Sequence, residues 1–261
     1  MRPLYLPSAD SRLFAVLHAP PAGDTRRGRV LLAPPIGEEL NRCRLALSTA
    51  ARRWSMRGWL TLMVDLYGTG DSPGDFGDAT VARWQDDLRL AWQWLLEQEC
   101  TGSENVLWTV RGGALVGLSL LAELSAQRVV LWAPQFSGRE VVDSVLRLAA
   151  TAEALAEQTG EASVRDRIRQ SGVIEVGGYR WSEALLSGIE RLGPADGAAT
   201  AAGRDALWLE PSGRSERGAP APLPAWRPRH AEGAAFWRTA EPVAAEAWAT
   251  ATEGWLQREA A

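Results

Sequence analysis

One arginine sits where the chain could place a reacting group. In Val106–Gly117 an apolar run, Val106-Leu107-Trp108, meets the glycine pair Gly112-Gly113. Ala114, Leu115, Val116, Leu118 and Leu121 then follow at helical spacing. This pattern predicts a strand, a sharp turn and a buried helix, with Arg111 on the turn. A guanidinium there would lie beside the unpaired backbone N–H groups and the positive end of the helix dipole. Its fork can hold a carboxylate or phosphate at two points, so the chemistry on offer is anion recognition. It is not nucleophilic attack, because a guanidinium stays protonated in proteins.

Other reactive side chains are sparse. The only histidines are His18 and His230, and the two cysteines, Cys43 and Cys100, have no metal-ligand or redox spacing. Asp71, Asp75 and Asp78 lie close together but lack the glycine and acid spacing of a calcium loop. The residues call for no cofactor and no metal.

The elements around Arg111 alternate. Residues 3–7 and 12–18 read as a hairpin about the turn Ser8–Ser11. Val30–Ala33 is a short buried strand. Pro34–Asn41 is a loop, and Asn41 is placed to cap a helix over 42–57 that Gly58 ends. Trp59–Asp65 is a strand and Tyr67–Gly74 a glycine-rich loop. Asp78 or Thr80 caps a helix reaching Glu97, with Asp78 the favoured cap. The Arg111 unit follows, then a strand over Arg128–Trp132. Strands and helices alternating through short connections demand an α/β fold with a mostly parallel sheet and helices on both faces.

The alternation lapses over 135–204, which reads as a small helical cap insertion: helical over Val141–Gln158, extended over Ile174–Tyr179 and helical again over Arg180–Leu192. Ala206–Leu209 resumes as a strand. Pro211–Arg229 is a proline-rich loop with a weak strand near Leu223–Arg227, and Glu241–Arg258 is a closing helix. The expected organisation is one domain over 1–261.

Composition narrows the function classes. The 261 residues carry a net charge of −4, and all 28 basic residues are arginines. An acidic balance argues against general binding of nucleic acid or anionic membranes. No stretch has the uninterrupted apolar length of a membrane span, and the N-terminus lacks the apolar core of a secretory leader. The expectation is a cytoplasmic protein. Of the thirteen tryptophans, most fall at core positions, whereas Trp181, Trp226 and Trp237 fall where they could line a pocket.

Two motifs carry a resemblance to α/β-hydrolases. Asp65, Gly68, Gly70 and Ser72 match the loop pattern D-x-x-G-x-G-x-S. The Val106–Gly117 unit is similar to the nucleophile elbow G-x-S-x-G, with Thr109 at the first glycine, Gly113 at the last and Arg111 at the serine. The runs Pro35–Asn41, Gly74–Asp78, Val110–Gly113 and Phe236-Trp237 further resemble the exosortase A system-associated hydrolases of the second type. That resemblance implies a hydrolase acting on an ester or acyl group in exopolysaccharide metabolism. Its ligand would be a small molecule or acylated glycan, and its partners would be proteins of an exopolysaccharide or protein-sorting locus.

Laid on this pattern, the usual serine hydrolase parts are missing by residue type. Phe236 stands where the histidine is expected, and His230 lies six residues too early. Glu210 or Glu216 could serve as the acid, but an acid with no histidine to orient does nothing. The Pro34–Asn41 loop takes the oxyanion-loop place and brings Glu38 and Glu39 towards Arg111. Two readings follow. In one, Arg111 and Glu38 or Glu39 act catalytically, with Ile36, Gly37, Asn41, Gly112 and Trp237 around the substrate. In the other, the protein is a non-catalytic binding or scaffold protein for an anionic ligand or a partner protein, and Arg111 either holds that anion or is a structural arginine paired with Glu38 or Glu39. A buried guanidinium needs a partner in either case.

Overall fold

The computed structural model describes residues 1–7, 12–155, 163–194, 203–213 and 226–258, with positions 196, 201, 220 and 223. Its centre is an eight-stranded sheet. The strands are β1 (Arg2–Pro7), β2 (Arg12–His18), β3 (Gly28–Ala33), β4 (Trp59–Val64), β5 (Glu104–Val110), β6 (Arg128–Trp132), β9 (Asp205–Pro211) and β10 (Pro228–Ala231). They lie in the order β1-β2-β4-β3-β5-β6-β9-β10. The pairings of β1 with β2 and of β2 with β4 are antiparallel, and those from β4 to β10 are parallel.

Parallel strands covered on both sides must be apolar on both faces. In β3, Val30 and Leu32 face one core while Leu31 and Ala33 face the other. One face is covered by α1 (Glu38–Ser55) and α7 (Glu246–Leu256), the other by α2 (Val81–Leu96) and α3 (Gly113–Ser119). The first face is a lattice of edge-on rings. Trp54, Trp108, Trp132, Phe236, Trp237 and Trp248 lie within 4.6–6.0 Å of their ring neighbours. Such contacts add to the large apolar area each ring removes from water.

Between β6 and β9 the chain forms α4 (Gly138–Leu155), α5 (Val164–Ser171), the antiparallel hairpin β7 (Val173–Val176) and β8 (Tyr179–Ser182), and α6 (Glu183–Arg191). The seven helices counted here are those of the described residues. Phe76, in a 3₁₀ turn at Phe76–Asp78, ties this segment to the sheet through Tyr179 at 4.8 Å and Trp181 at 5.0 Å.

The alternation of strands and helices through residue 133 follows the sequence expectation, and several local readings change. The first helix starts at Glu38, not at 42, because Gly37 at φ 63° turns the chain into it. Asn41 therefore lies inside the helix, and its amide donates to the Tyr179 hydroxyl at 2.9 Å. Thr80, not Asp78, caps α2 by accepting from the Arg83 N–H. The span 174–192 is a hairpin turned by Gly177-Gly178, and only then a helix. Helix α5 has no counterpart among the expected elements. The last described strand is Pro228–Ala231, and the closing helix starts at Glu246; positions 224 and 225 of the expected weak strand lie outside the described residues. The turn at Ser8–Ser11, residues 156–158 and Glu216 lie outside the described residues.

Candidate functional site

The carboxyl ends of β5, β6 and β9 meet at one edge of the sheet, where open α/β sheets hold their ligands. Two non-glycine residues there adopt left-handed backbone: Arg111 after β5, at φ 53°, and Ala133 after β6, at φ 44°. Each such conformation costs about 1–2 kcal/mol, so the surrounding contacts must hold it. The Arg111 N–H donates to the Trp132 carbonyl at 3.0 Å, and the Arg111 carbonyl accepts from the Gln135 N–H at 3.1 Å. Gly113 completes the turn by close approach. A Cβ there would lie 2.3 Å from the Ala33 carbonyl oxygen and 2.4 Å from that of Pro34. The sharp strand–turn–helix unit read from the sequence is thus present, with Arg111 at its apex.

The Arg111 side chain is buried, and the protein itself uses its charge. Nε donates to Glu39 Oε2 at 3.1 Å and Nη2 to Glu39 Oε1 at 3.0 Å. Nη1 donates to the carbonyl of Ala133 at 3.0 Å. The Arg111 guanidinium carbon lies 4.7 Å from the Trp237 ring centroid, a cation–π contact. Glu38 turns away and accepts from Arg42 one helical turn on, at 2.5 Å. Of the two acids expected near Arg111, the structure therefore brings Glu39 and not Glu38. Cys43, one turn after Glu39 on α1, is fully buried. Burial pushes its thiol up, Glu39 adds to the rise and Arg111 opposes it.

The other candidate residues frame this pair. Ile36 packs on Gly112, where an added Cβ would meet Ile36 Cδ1 at 3.0 Å. Gly37 carries Trp181 against its backbone, where a Cβ would lie 2.8 Å from the indole. Gly112 caps α3 without a side-chain bond. Asn41 faces Tyr179, whose hydroxyl is raised mainly by burial. Trp237 is buried beneath Arg111 and lines neither of the two cavities described below. Phe236 is also fully buried, its ring held between Trp132 and Trp248 in the aromatic core. His230 lies on β10, exposed, with Nδ1 3.2 Å from the Pro211 carbonyl oxygen. Glu210, at the end of β9, is buried and accepts from the Trp208 indole N–H at 3.1 Å.

Asp65 and Ser72 fasten the nearby Tyr67–Gly74 loop. Asp65 accepts from Arg44 at 3.1 and 3.3 Å and from the Asp71 N–H at 3.0 Å. Ser72 donates to the Asp65 carbonyl and accepts from the Phe14 N–H. Among the described residues no cluster of histidine, cysteine or acidic side chains is arranged to hold a metal, and no helix is long and apolar enough to cross a membrane.

Two cavities flank the Arg111–Glu39 pair. The larger, about 620 Å³, is lined by Arg111, Gln135, Phe136, Arg147, Trp208 and Glu210 among others. The smaller, about 150 Å³, lies between Ile36, Glu39, Val145, Val176 and Trp181. Gln135, Arg147 and Arg238 carry no sequence signal for this site, because a residue's place at a cavity depends on the paths of the segments after β6 and after β10. The pattern of apolar positions does not encode those paths.

No family model and no curated protein matches the chain. Solved structures do. Est1E from Butyrivibrio proteoclasticus, solved with ferulic acid bound, superposes at TM-score 0.69 with 13% identity, over 97% of each chain. The hypothetical protein PA1622 from Pseudomonas aeruginosa PAO1 superposes at 0.55 with 17% identity, over 99% of each. The alpha/beta hydrolase GrgF from Penicillium sp. sh18 gives 0.54 at 16% identity, over 81% of this chain and 80% of its own. With the strand order and the elbow already described, these likenesses establish that the chain has the α/β-hydrolase fold.

Proposed function

We propose that this protein is a binding protein on an α/β-hydrolase scaffold, taking a small ligand in the cavity beside Arg111 without a serine nucleophile. The observation that carries this reading is the lock on Arg111. Glu39, the Ala133 carbonyl and the Trp237 ring occupy its guanidinium on three sides. A ligand anion would have to displace Glu39, a carboxylate already held by three hydrogen bonds from Nε and Nη2. Phe236 stands in the histidine's place and is consumed by the core.

The rival reading is a hydrolase. The sequence resemblance to exosortase-associated hydrolases favours it, and so does one observation: Glu39 borders the smaller cavity and is 30% exposed. Glu39 would then activate water while Arg111 stabilises a developing oxyanion. The substrate would be an ester or acyl group of an exopolysaccharide, and the partners proteins of that system. Fold alone does not decide between the two.

Labelling with a fluorophosphonate, read by peptide mass spectrometry, tests the proposal together with turnover of p-nitrophenyl esters. The expected result is no labelled serine and no turnover above the buffer rate. Modification of a single serine, such as the cavity-lining Ser137, would overturn it. Ester turnover that Glu39→Gln abolishes would establish the rival.

A further inference from the structure

Three segments enclose the smaller cavity: Ile36 with the first turn of α1, the α4 helix, and the β7–β8 hairpin. Its walls are mostly apolar. Val141, Val145 and Leu148 of α4 line it together with Ile36, Val176 and Trp181. Trp181 is fixed in place. It packs edge-on against Phe76 at 5.0 Å and covers Gly37, where a Cβ would stand 2.8 Å from the indole. The slot is therefore preformed, which spares a ligand the cost of ordering it. Its volume is about 150 Å³, and apolar cavities of this size take benzene. The occupant that fits has one ring or two fused rings.

Two carboxylates border this apolar space, and each already faces a guanidinium. Glu39 spends both oxygens on Arg111. Glu38 spends only Oε1, which accepts from Arg42 Nε at 3.2 Å and Nη2 at 2.5 Å. Glu38 Oε2 accepts no hydrogen bond among the described residues. It lies over Gly177, 3.2 Å from where a Cβ of that residue would be. The Ser144 hydroxyl is engaged, donating to the Glu140 carbonyl and accepting from Arg147, both at 2.8 Å. The slot thus carries one charged acceptor that the protein leaves unused.

That acceptor selects the ligand. An anion would meet two carboxylates. An ammonium would meet two guanidiniums as well, and would leave water for a place with no net counter-charge. A neutral donor gains the hydrogen bond without that cost, and a bond to a charged acceptor is among the stronger ones. A hydroxyl would also bring lone pairs against the apolar walls. An aromatic N–H is a donor only, like the indole of tryptophan.

We propose that this slot binds a neutral aromatic N–H donor of the indole class, its rings between α4 and Trp181 and its N–H on Glu38 Oε2. The slot is a second site beside the larger cavity, and the proposal stands whether or not that cavity holds a ligand.

The test is calorimetric titration of the full chain with indole and with benzofuran, which has the same shape but an oxygen in place of the N–H. Indole is expected to bind at least fivefold more tightly. Glu38→Ala removes the acceptor at an exposed position. It is expected to weaken indole at least fivefold and to change benzofuran less than twofold, so the preference disappears. Val145→Trp, filling the slot, should weaken both ligands at least tenfold. Leu148→Glu, at a position already half in water, should weaken both at least fivefold, and thermal unfolding checks that each variant folds. No heat with indole would overturn the proposal, as would benzofuran binding as tightly as indole. A preference for indole that survives Glu38→Ala would place the N–H elsewhere and overturn it too, and so would slot variants that bind like the parent.

Discussion

Arg111 and Glu39, 72 residues apart in sequence, close on one another through paired hydrogen bonds of 3.0 and 3.1 Å at the apex of the elbow. The pair joins the turn after β5 to the first turn of α1. Removing one partner leaves the other charge unmatched in a mostly buried place. Arg111→Ala should lower stability by about 3 kcal/mol, the lower end for a broken buried pair because Glu39 keeps some water contact. Glu39→Ala should cost at least as much, since it strands the more buried group. Urea unfolding of both single variants and the double variant gives the coupling. A double variant that loses the sum of the single losses would show that the pair contributes nothing jointly.

Gly113 is the elbow's other fixed point. A methyl group there meets two backbone oxygens at 2.3 and 2.4 Å, and backbone cannot rotate away as a side chain can. Gly113→Ala should cost more than the 1–3 kcal/mol or so of an ordinary overpacked core position. Gly172→Ala is not a fair control, because that residue has positive φ. Gly254→Ala is one, with open space at its Cβ, and it should raise helix stability slightly. Equal melting temperatures for the Gly113 and Gly254 variants would refute the argument.

This turn was legible in the sequence because its signals are local: an apolar strand, two glycines, then small residues at helical spacing. The same holds for one contact of the loop at Asp65, whose carboxylate accepts from the Asp71 N–H, but not for its ion pair with Arg44 on α1. Side-chain direction was not legible. Nothing in Pro34–Asn41 tells that Gly37 adopts φ 63° and starts the helix four residues early, and that start decides which glutamate faces Arg111. Glu39 then points inward and Glu38 lies beside Arg42. Gly177-Gly178 was a turn signal between two short runs, but four-residue strands are too short for periodicity to separate from the helix that follows.

His18 gives the protein an acid-sensitive core. It pairs across the sheet with Thr61, and neither ring nitrogen nor the Thr61 hydroxyl has a hydrogen-bond partner among the described residues. Burial pushes His18 down to about 4, with the N-terminal ammonium and Arg52 adding to the effect. The neutral ring is the folded form. As pH falls below the unfolded value of about 6.5 the unfolded chain gains a proton that the folded one resists. Stability should therefore drop by up to about 3 kcal/mol between pH 6.5 and 4. Denaturation midpoints across that range check it, and His18→Phe should flatten this part of the profile. An unchanged slope in the variant would assign the acid loss elsewhere.

The two cysteines should separate cleanly. Cys43 is fully buried with its thiol pushed up, while Cys100 is half-buried near the chain surface. The thiolate is the reactive form. A thiol reagent at pH 8 should modify Cys100 in the native protein and Cys43 only after unfolding. Because Glu39 raises Cys43 and Arg111 opposes it, Arg111→Ala should not by itself make Cys43 reactive. Reaction of Cys43 in that variant would mean that the elbow opens, which turns the thiol into a reporter of the Arg111–Glu39 lock.

Restoring the residue types of a serine hydrolase should fail to restore the chemistry. Arg111→Ser with Phe236→His puts a serine at the apex and a histidine at its expected place in the chain. Phe236 lies 5.1 to 5.9 Å from the rings of Trp132, Trp237 and Trp248 and has no exposure. An imidazole there would face the aromatic core, away from the cavity, at a cost of about 1–3 kcal/mol for an unpartnered polar group. Glu39 would also lose its cation. The double variant is therefore expected to melt lower than either parent single and to show no p-nitrophenyl ester turnover above the parent. Turnover in it would mean that the segment after β10 can swing its side chain to the sheet edge. Residue 236 would then belong to the site, and the aromatic core would have to accommodate the change.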